Sequence, residues 1–278
     1  MPTPPSSPPP TSKSKTPAEK EKDDTKSSTT SHSAAPPTES ETTTNYLILA
    51  TLTGITNPSI TRLLSLPPSL TFADLHRALQ IAFGWANSHM LDFNVSLLDP
   101  NDNEAMPRFC LSISPDPSIF AGDMMNDTKA ESEITLADVY EKPEWKDRAE
   151  IEYEYDHGDG WNHHLALLGR ATPGTNAHFG APSDVKVLCL NGQGHPAAED
   201  VGGECGWEGL KDAFKHPRKG ENRERIEWYK HVCLNGDGKL DPYAFDVMDV
   251  NDGLRDAFAE GKSGGMSNAA CGGCGKGL

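Results

Sequence analysis

The sequence predicts an α+β fold, and three observations carry that expectation. Residues 150–168 alternate apolar and polar side chains on either side of a glycine-containing turn, the pattern of an antiparallel hairpin. Phe72, Leu75, Leu79, Ala82 and Phe83 recur at helical spacing. Residues 46–52, YLILATL, form a short apolar run of the kind a buried strand shows.

Each element follows in chain order. No element is expected over 1–44, where Pro, Ser and Thr fill 28 of 44 positions and, Met1 aside, no apolar residue larger than Ala precedes Tyr46. Such a segment buries too little surface to offset its ordering entropy and is expected to be disordered. Its Lys13, Lys15, Lys20 and Lys22 read as linker chemistry rather than an address. After the first strand, Pro58, Pro67 and Pro68 punctuate the chain. Thr71 then stands where it can cap the helix, with Asp74 in capping-box position and Gly84 as its terminator. Residues 91–98, LDFNVSLL, read as a strand, and 99–130, rich in Pro, Asn and Asp, as a long loop or insertion. Thr135–Asp138 echoes Thr71–Asp74 and is expected to cap a short helix. In the hairpin, Ile151, Tyr153 and Tyr155 alternate with Glu152, Glu154 and Asp156, and Trp161, His163, Leu165 and Leu167 lead out of the turn. Val185–Leu190 suggests one more strand, 191–207 a glycine-rich loop, and 207–215 and 221–232 helices. From about Gly261 the chain is rich in Gly, Ser and Ala and is expected to be flexible.

Composition removes several classes. Six cysteines in 278 residues are too few for a disulfide scaffold. No apolar run reaches the roughly 18 residues a membrane helix needs, and mean hydropathy is −0.57. The opening MPTPPSSPPP lacks the basic and apolar stretches of a secretory leader, so an intracellular location, cytoplasmic or nuclear, is expected. Beyond residue 44 the chain holds 20 basic and 35 acidic side chains, and that excess disfavours non-specific nucleic-acid binding. The same charge allows a reading as an interaction domain whose acidic face meets basic protein partners.

Three polar clusters are candidates for chemistry. His76 and His89 bracket Phe83–Gly84–Trp85; such histidines serve either as hydrogen-bonded core groups or as ligands or catalytic groups. Asp156, Asp159, His163 and their neighbours at the hairpin tip offer carboxylate and imidazole donors suited to a divalent metal. Strand alternation sends His163 and His164 to opposite faces, and the aspartates alternatively make Asx-type turn bonds. Glu199 and Asp200, flanked by glycines, form either a cation site or a set of caps and ion pairs. Other motifs fail. The Asn235–Gly238 segment has Cys233 and Ala244 where a calcium loop needs acidic ligands, and Cys271–Cys274 is a lone pair of thiols. No phosphate-binding loop, dinucleotide fingerprint or nucleophile elbow is present, so known enzyme classes are not signalled.

Taken in order, these motifs resemble the plasmid pRiA4b ORF-3-like family. The resemblance rests on Leu75–His76 with Phe83–Gly84–Trp85 and His89, on Thr135–Asp138, and on Tyr153, Tyr155–Asp156, Gly158–Asp159, Trp161 and His163. Glu199–Asp200 with Gly202–Gly203 and Trp207, then Asp241–Pro242 with Phe245–Asp246, complete it. It spans about 45–260 and implies a single compact domain, with a mixed or antiparallel sheet packed by helices. Departures are His157 where the family usually has Phe, Ala197–Ala198 in place of a proline pair, and Val201 in place of a frequent Cys.

The function expected is a binding module whose polar residues hold a divalent metal (Zn, or Mg/Mn) or a small polar ligand. Ligand-binding candidates are His76, His89, Asp156, Asp159, Trp161, His163, Glu199 and Asp200, with Asp156, His163, Glu199 and Asp200 as the metal set. The alternatives are a metal-assisted hydrolase or nucleic-acid-processing enzyme linked to mobile elements, and the acidic interaction domain. A serine recombinase in particular needs an activated serine within an arginine cluster, and no such arrangement is visible.

Overall fold

Apolar alternation along the first strand, β1 (Tyr46–Leu52), turns Tyr46, Ile48, Ala50 and Leu52 inward. Seven more strands join it: β2 (Thr61–Leu66), β3 (Leu91–Leu97), β4 (Arg108–Ser114), β5 (Asp127–Ala130), β6 (Ala149–Tyr155), β7 (Trp161–Arg170) and β8 (Leu188–Gln193). The order across the sheet is β5-β4-β3-β6-β7-β1-β2-β8. Every neighbouring pair is antiparallel except β4 with β5, which is parallel. The sheet is thus mixed and, with its helices, makes the α+β fold the sequence predicts. This computed structural model describes residues 44–99, 101, 106–120, 127–171, 174–175 and 185–259. The disordered and flexible tails expected at 1–44 and 261–278 lie outside those residues, Thr44 apart.

The five α-helices bounded within the described residues are α1 (Phe72–Phe83), α2 (Leu136–Tyr140), α3 (Gly203–Lys215), α4 (Gly220–His231) and α5 (Val247–Phe258). In α1 the apolar stripe Phe72, Leu75, Leu79 and Phe83 is fully buried. Thr71 Oγ1 accepts from the Asp74 amide, and Gly84 closes the helix in the left-handed region. Phe72 meets Phe93 of β3 edge-on at 5.0 Å, and Phe83 meets the His163 ring of β7 at 4.5 Å. Each such aromatic or aliphatic side chain removed from water contributes about 1.5–3 kcal/mol. Thr135 and Asp138 form a complete capping box at α2. In α5, Asn251 exchanges hydrogen bonds of 2.8 Å with both the amide and the carbonyl of Cys189, binding the helix to β8. Phe214 of α3 packs edge-on against Tyr229 of α4 at 5.5 Å.

Five segments differ from the sequence reading. The stretch 99–130 contains β4 and β5 rather than only loop; β4 pairs with β3 and buries Leu111 and Ile113. The β2 strand escapes apolar periodicity because Arg62 stands at its second position, on a buried side. That guanidinium is fully buried, donating to the carbonyls of Thr61, Ala82, Gln193 and Gly194 while lying over the Phe83 and Phe245 rings. Burial pulls its pKa down to about 10. The last strand runs Leu188–Gln193, shifted toward the glycines, and α3 starts at Gly203 rather than at Trp207. Val247–Phe258 is a helix that the sequence reading leaves without an element.

Candidate functional site

Three turns meet at one end of the sheet: residues 84–90 between α1 and β3, 156–160 between β6 and β7, and 194–202 between β8 and α3. Hydrogen bonds fasten them to one another. The Asp156 amide donates to Met90 O at 2.9 Å, the Gly202 amide to Asp159 Oδ2 at 3.1 Å, and the Ala86 amide to Glu199 Oε2 at 2.9 Å. Gly203 has a φ of +66°, and a side chain there would meet Asp159 O at 2.5 Å, so glycine is what lets α3 approach the hairpin.

One residue from each turn converges. His89, Asp156 and Asp200 each bring a donor atom to a point where all three lie within 4.8 Å of one another. His89 Nδ1 is 3.6 Å from Asp156 Oδ1, and His89 Nε2 is 3.0 Å from Asp200 Oδ1. The second contact has ion-pair distance without hydrogen-bond alignment, which leaves buried Nε2 without a hydrogen-bond partner among the described residues. Both aspartates sit in the left-handed region, Asp156 at φ 57° and Asp200 at φ 62°, a conformation that costs a non-glycine residue about 1–2 kcal/mol. Asp156 is buried, His89 part-buried and Asp200 exposed, so the cluster opens to solvent on the Asp200 side.

The other expected site residues lie elsewhere in this network. Glu199 is wholly buried, its Oε1 accepting from Tyr155 OH at 2.6 Å and Ser88 Oγ at 3.0 Å. Burial, and then this carboxylate, hold the Tyr155 phenol well above its ordinary range. His76 is bonded at both ring nitrogens, to Tyr153 OH at 2.8 Å and Asn87 Oδ1 at 2.7 Å, and burial pulls its pKa down to about 4. His163 is fully buried, its Nδ1 3.2 Å from Tyr153 O and its Nε2 without a hydrogen-bond partner among the described residues. Burial lowers its pKa to about 3. As alternation requires, neighbouring His164 faces the opposite side, 3.8 Å from Glu150. Trp161 is buried and stacks on Trp85 at 6.0 Å. Asp159 serves the Gly202 amide, and Asp156 Oδ1 accepts from the Gly158 amide at 3.0 Å, an Asx turn.

Sequence reasoning missed the residues that hold these groups in place. Ser88, Asn87 and Gln80 link α1 and its following turn to Tyr153, Tyr155 and Glu199. Asn235 accepts from the Glu199 amide and donates to Ala197 O. Its asparagine-glycine setting signals a turn, and nothing in the pattern tells that the side chain reaches back to residue 197.

A mixed sheet packed by helices, with three motif-bearing turns joined at one end, defines the class: an α+β domain organised around an internal polar network. The chain belongs to the plasmid pRiA4b ORF-3-like protein family, whose model matches residues 44–249. It is similar to the uncharacterized protein y4hQ of Sinorhizobium fredii (strain NBRC 101917 / NGR234), at 27% identity over 203 residues covering 73% of this chain and 87% of that protein. It is also similar to MM3350 of Methanosarcina mazei Go1, a protein of unknown function with a crystal structure. The TM-score is 0.53 at 26% identity, covering 73% of this chain and 96% of the other. No helix among the described residues is long and apolar enough to cross a membrane.

Proposed function

We propose that this protein is a binding module that holds a divalent cation at His89, Asp156 and Asp200. The observation that supports the reading is the meeting of three donor atoms, within 4.8 Å, from three turns far apart in sequence. Two further features agree with it: a His89 nitrogen lacking an aligned partner, and two aspartates held in a costly backbone conformation. One imidazole nitrogen with two carboxylate oxygens suits Zn²⁺ or Mn²⁺ better than Mg²⁺, which prefers oxygen ligands and retained water. In this reading Glu199 fastens the turns and His163 packs the core, while the cation rests on the solvent-facing cluster beside them.

Metal analysis of the full chain before and after chelator, with calorimetric titration of Zn²⁺ and Mn²⁺, tests the proposal. One equivalent is expected to bind. His89→Ala is expected to weaken it at least about tenfold, the loss that removing even an outer partner of a metal ligand causes. Asp200→Asn, at an exposed position, is expected to weaken binding while leaving the melting temperature unchanged. Binding that is absent, or that persists undiminished in both variants, overturns the reading.

A further inference from the structure

A second polar group lies across three strands. Asp92 of β3 pairs with Glu154 of β6, and Ser114 of β4 lies one step beyond the last β3–β4 pair, Phe93 with Ile113. Directly opposed residues of antiparallel strands share a face, so Ser114, Asp92 and Glu154 form a row. His157 reaches the row from the hairpin turn, its Nε2 3.2 Å from Asp92 Oδ2. This row floors a cleft of about 420 Å³ whose other lining comes from Met90, Leu91, Pro115 and Asp116 and is mostly apolar.

Three features make this cleft unusual. Asp92 is only 8% exposed, and Asn94 and His157 are its partners among the described residues. Burial raises its pKa from the ordinary value, with His157 and Asn94 acting against the rise, so a charge there is costly unless a cation meets it. Ser114 is 2% exposed, and its Oγ has no hydrogen-bond partner among the described residues although the side chain lines the cleft. No lysine or arginine among the described residues lines the cleft or pairs with Asp92.

We propose that this cleft binds a primary alkylammonium group, with Ser114 Oγ, Asp92 and Glu154 as acceptors and Met90 and Pro115 against the alkyl chain. An ammonium carries three donors and no acceptor, which matches one hydroxyl and two carboxylates. Its methylenes need an apolar wall, which this cleft has. A bare metal ion would use the carboxylates and His157 but would leave the walls and the buried hydroxyl without a role. A free diamine and a lysine side chain share the chemistry, so the test carries both.

Calorimetry of the full chain with cadaverine, and separately with Nα-acetyl-lysine methylamide, decides the matter. One site for cadaverine is expected, weakened at least about tenfold by Asp92→Asn and by Glu154→Gln, as loss of one charge-assisted hydrogen bond implies. Tighter binding of the lysine analogue assigns the site to protein side chains, and tighter binding of cadaverine to free amines. His89→Ala is expected to bind amine like the wild type, which separates this result from that of the cation cluster. Should Asp92→Asn not fold, Glu154→Gln and Ser114→Ala carry the test. The proposal is overturned if neither amine binds below about 10 mM, or if all variants bind equally. It is equally overturned if the cleft instead takes up Zn²⁺ or Mn²⁺ in a manner abolished by His157→Phe.

Discussion

Glu199 Oε1 receives two hydroxyl donors and Oε2 a backbone amide, and the carboxylate itself is fully buried. A backbone amide only donates, so Glu199→Gln must keep its carbonyl oxygen on the Ala86 amide and turn its NH₂ toward the two hydroxyls, whose own protons then lose their acceptor. The expected cost is about 2–3 kcal/mol, that of a buried polar group left unpaired. Urea unfolding measures it, and an unchanged midpoint would mean that the turns are held by something else. The three candidate clusters are legible in sequence as residue types, and the histidine alternation also holds at this scale. What sequence leaves open is which members meet. Glu199 and Asp200 are adjacent, yet one faces an interior hydrogen-bond network and the other solvent. That difference is set by the left-handed turn at Asp200, which no spacing rule reveals.

At the scale of elements, the contact of α3 with the hairpin depends on a missing side chain. Gly203→Ala introduces a Cβ 2.5 Å from Asp159 O at φ +66°, so α3 must shift or the hairpin turn must yield. A loss of about 2–4 kcal/mol is expected, within the range that backbone strain and broken networks produce. Thr135→Ala removes the capping box of α2 and is expected to cost about 1 kcal/mol by the same unfolding assay. A larger effect at Thr135 than at Gly203 would contradict this ranking. The hairpin β6–β7 and α1 are legible because their periodicity is local and unbroken. The β2 strand is not, because a buried arginine breaks its pattern and finds its partners in two other segments, at Ala82 of α1 and at Gln193–Gly194. The β4 strand hides behind the loop-forming residues on either side of it.

For the whole molecule, two buried imidazoles set the response to acid. His76 and His163 have folded-state pKa values near 4 and 3, below the 6.5 of an unfolded histidine. As pH falls below about 6.5, the unfolded chain takes up protons that the folded chain does not. Stability present above that pH is therefore lost toward pH 4, at about 2.7 kcal/mol per pH unit for the two groups together. His163→Phe is expected to halve that histidine contribution, measured as chemical-denaturation midpoints at pH 6.5, 5.5 and 4.5. An unchanged slope would show that His163 is protonated in the fold. The single sheet and its class are legible in sequence, whereas its strand order is not, since pairing over long separations leaves no local trace.

That strand order has a consequence for biosynthesis. The β1 strand finds one neighbour, β2, almost at once, but its other neighbour is β7, with Leu52 paired to His163 about 110 residues later. At typical translation rates the apolar edge of β1 waits roughly 5–20 s for its partner. During that interval the nascent chain carries a finished hairpin and helix around a half-built core. A ribosome that pauses between β3 and β6 would prolong the exposure of an aggregation-prone edge, and newly made protein, rather than folded protein, is where this chain has greatest need of a chaperone.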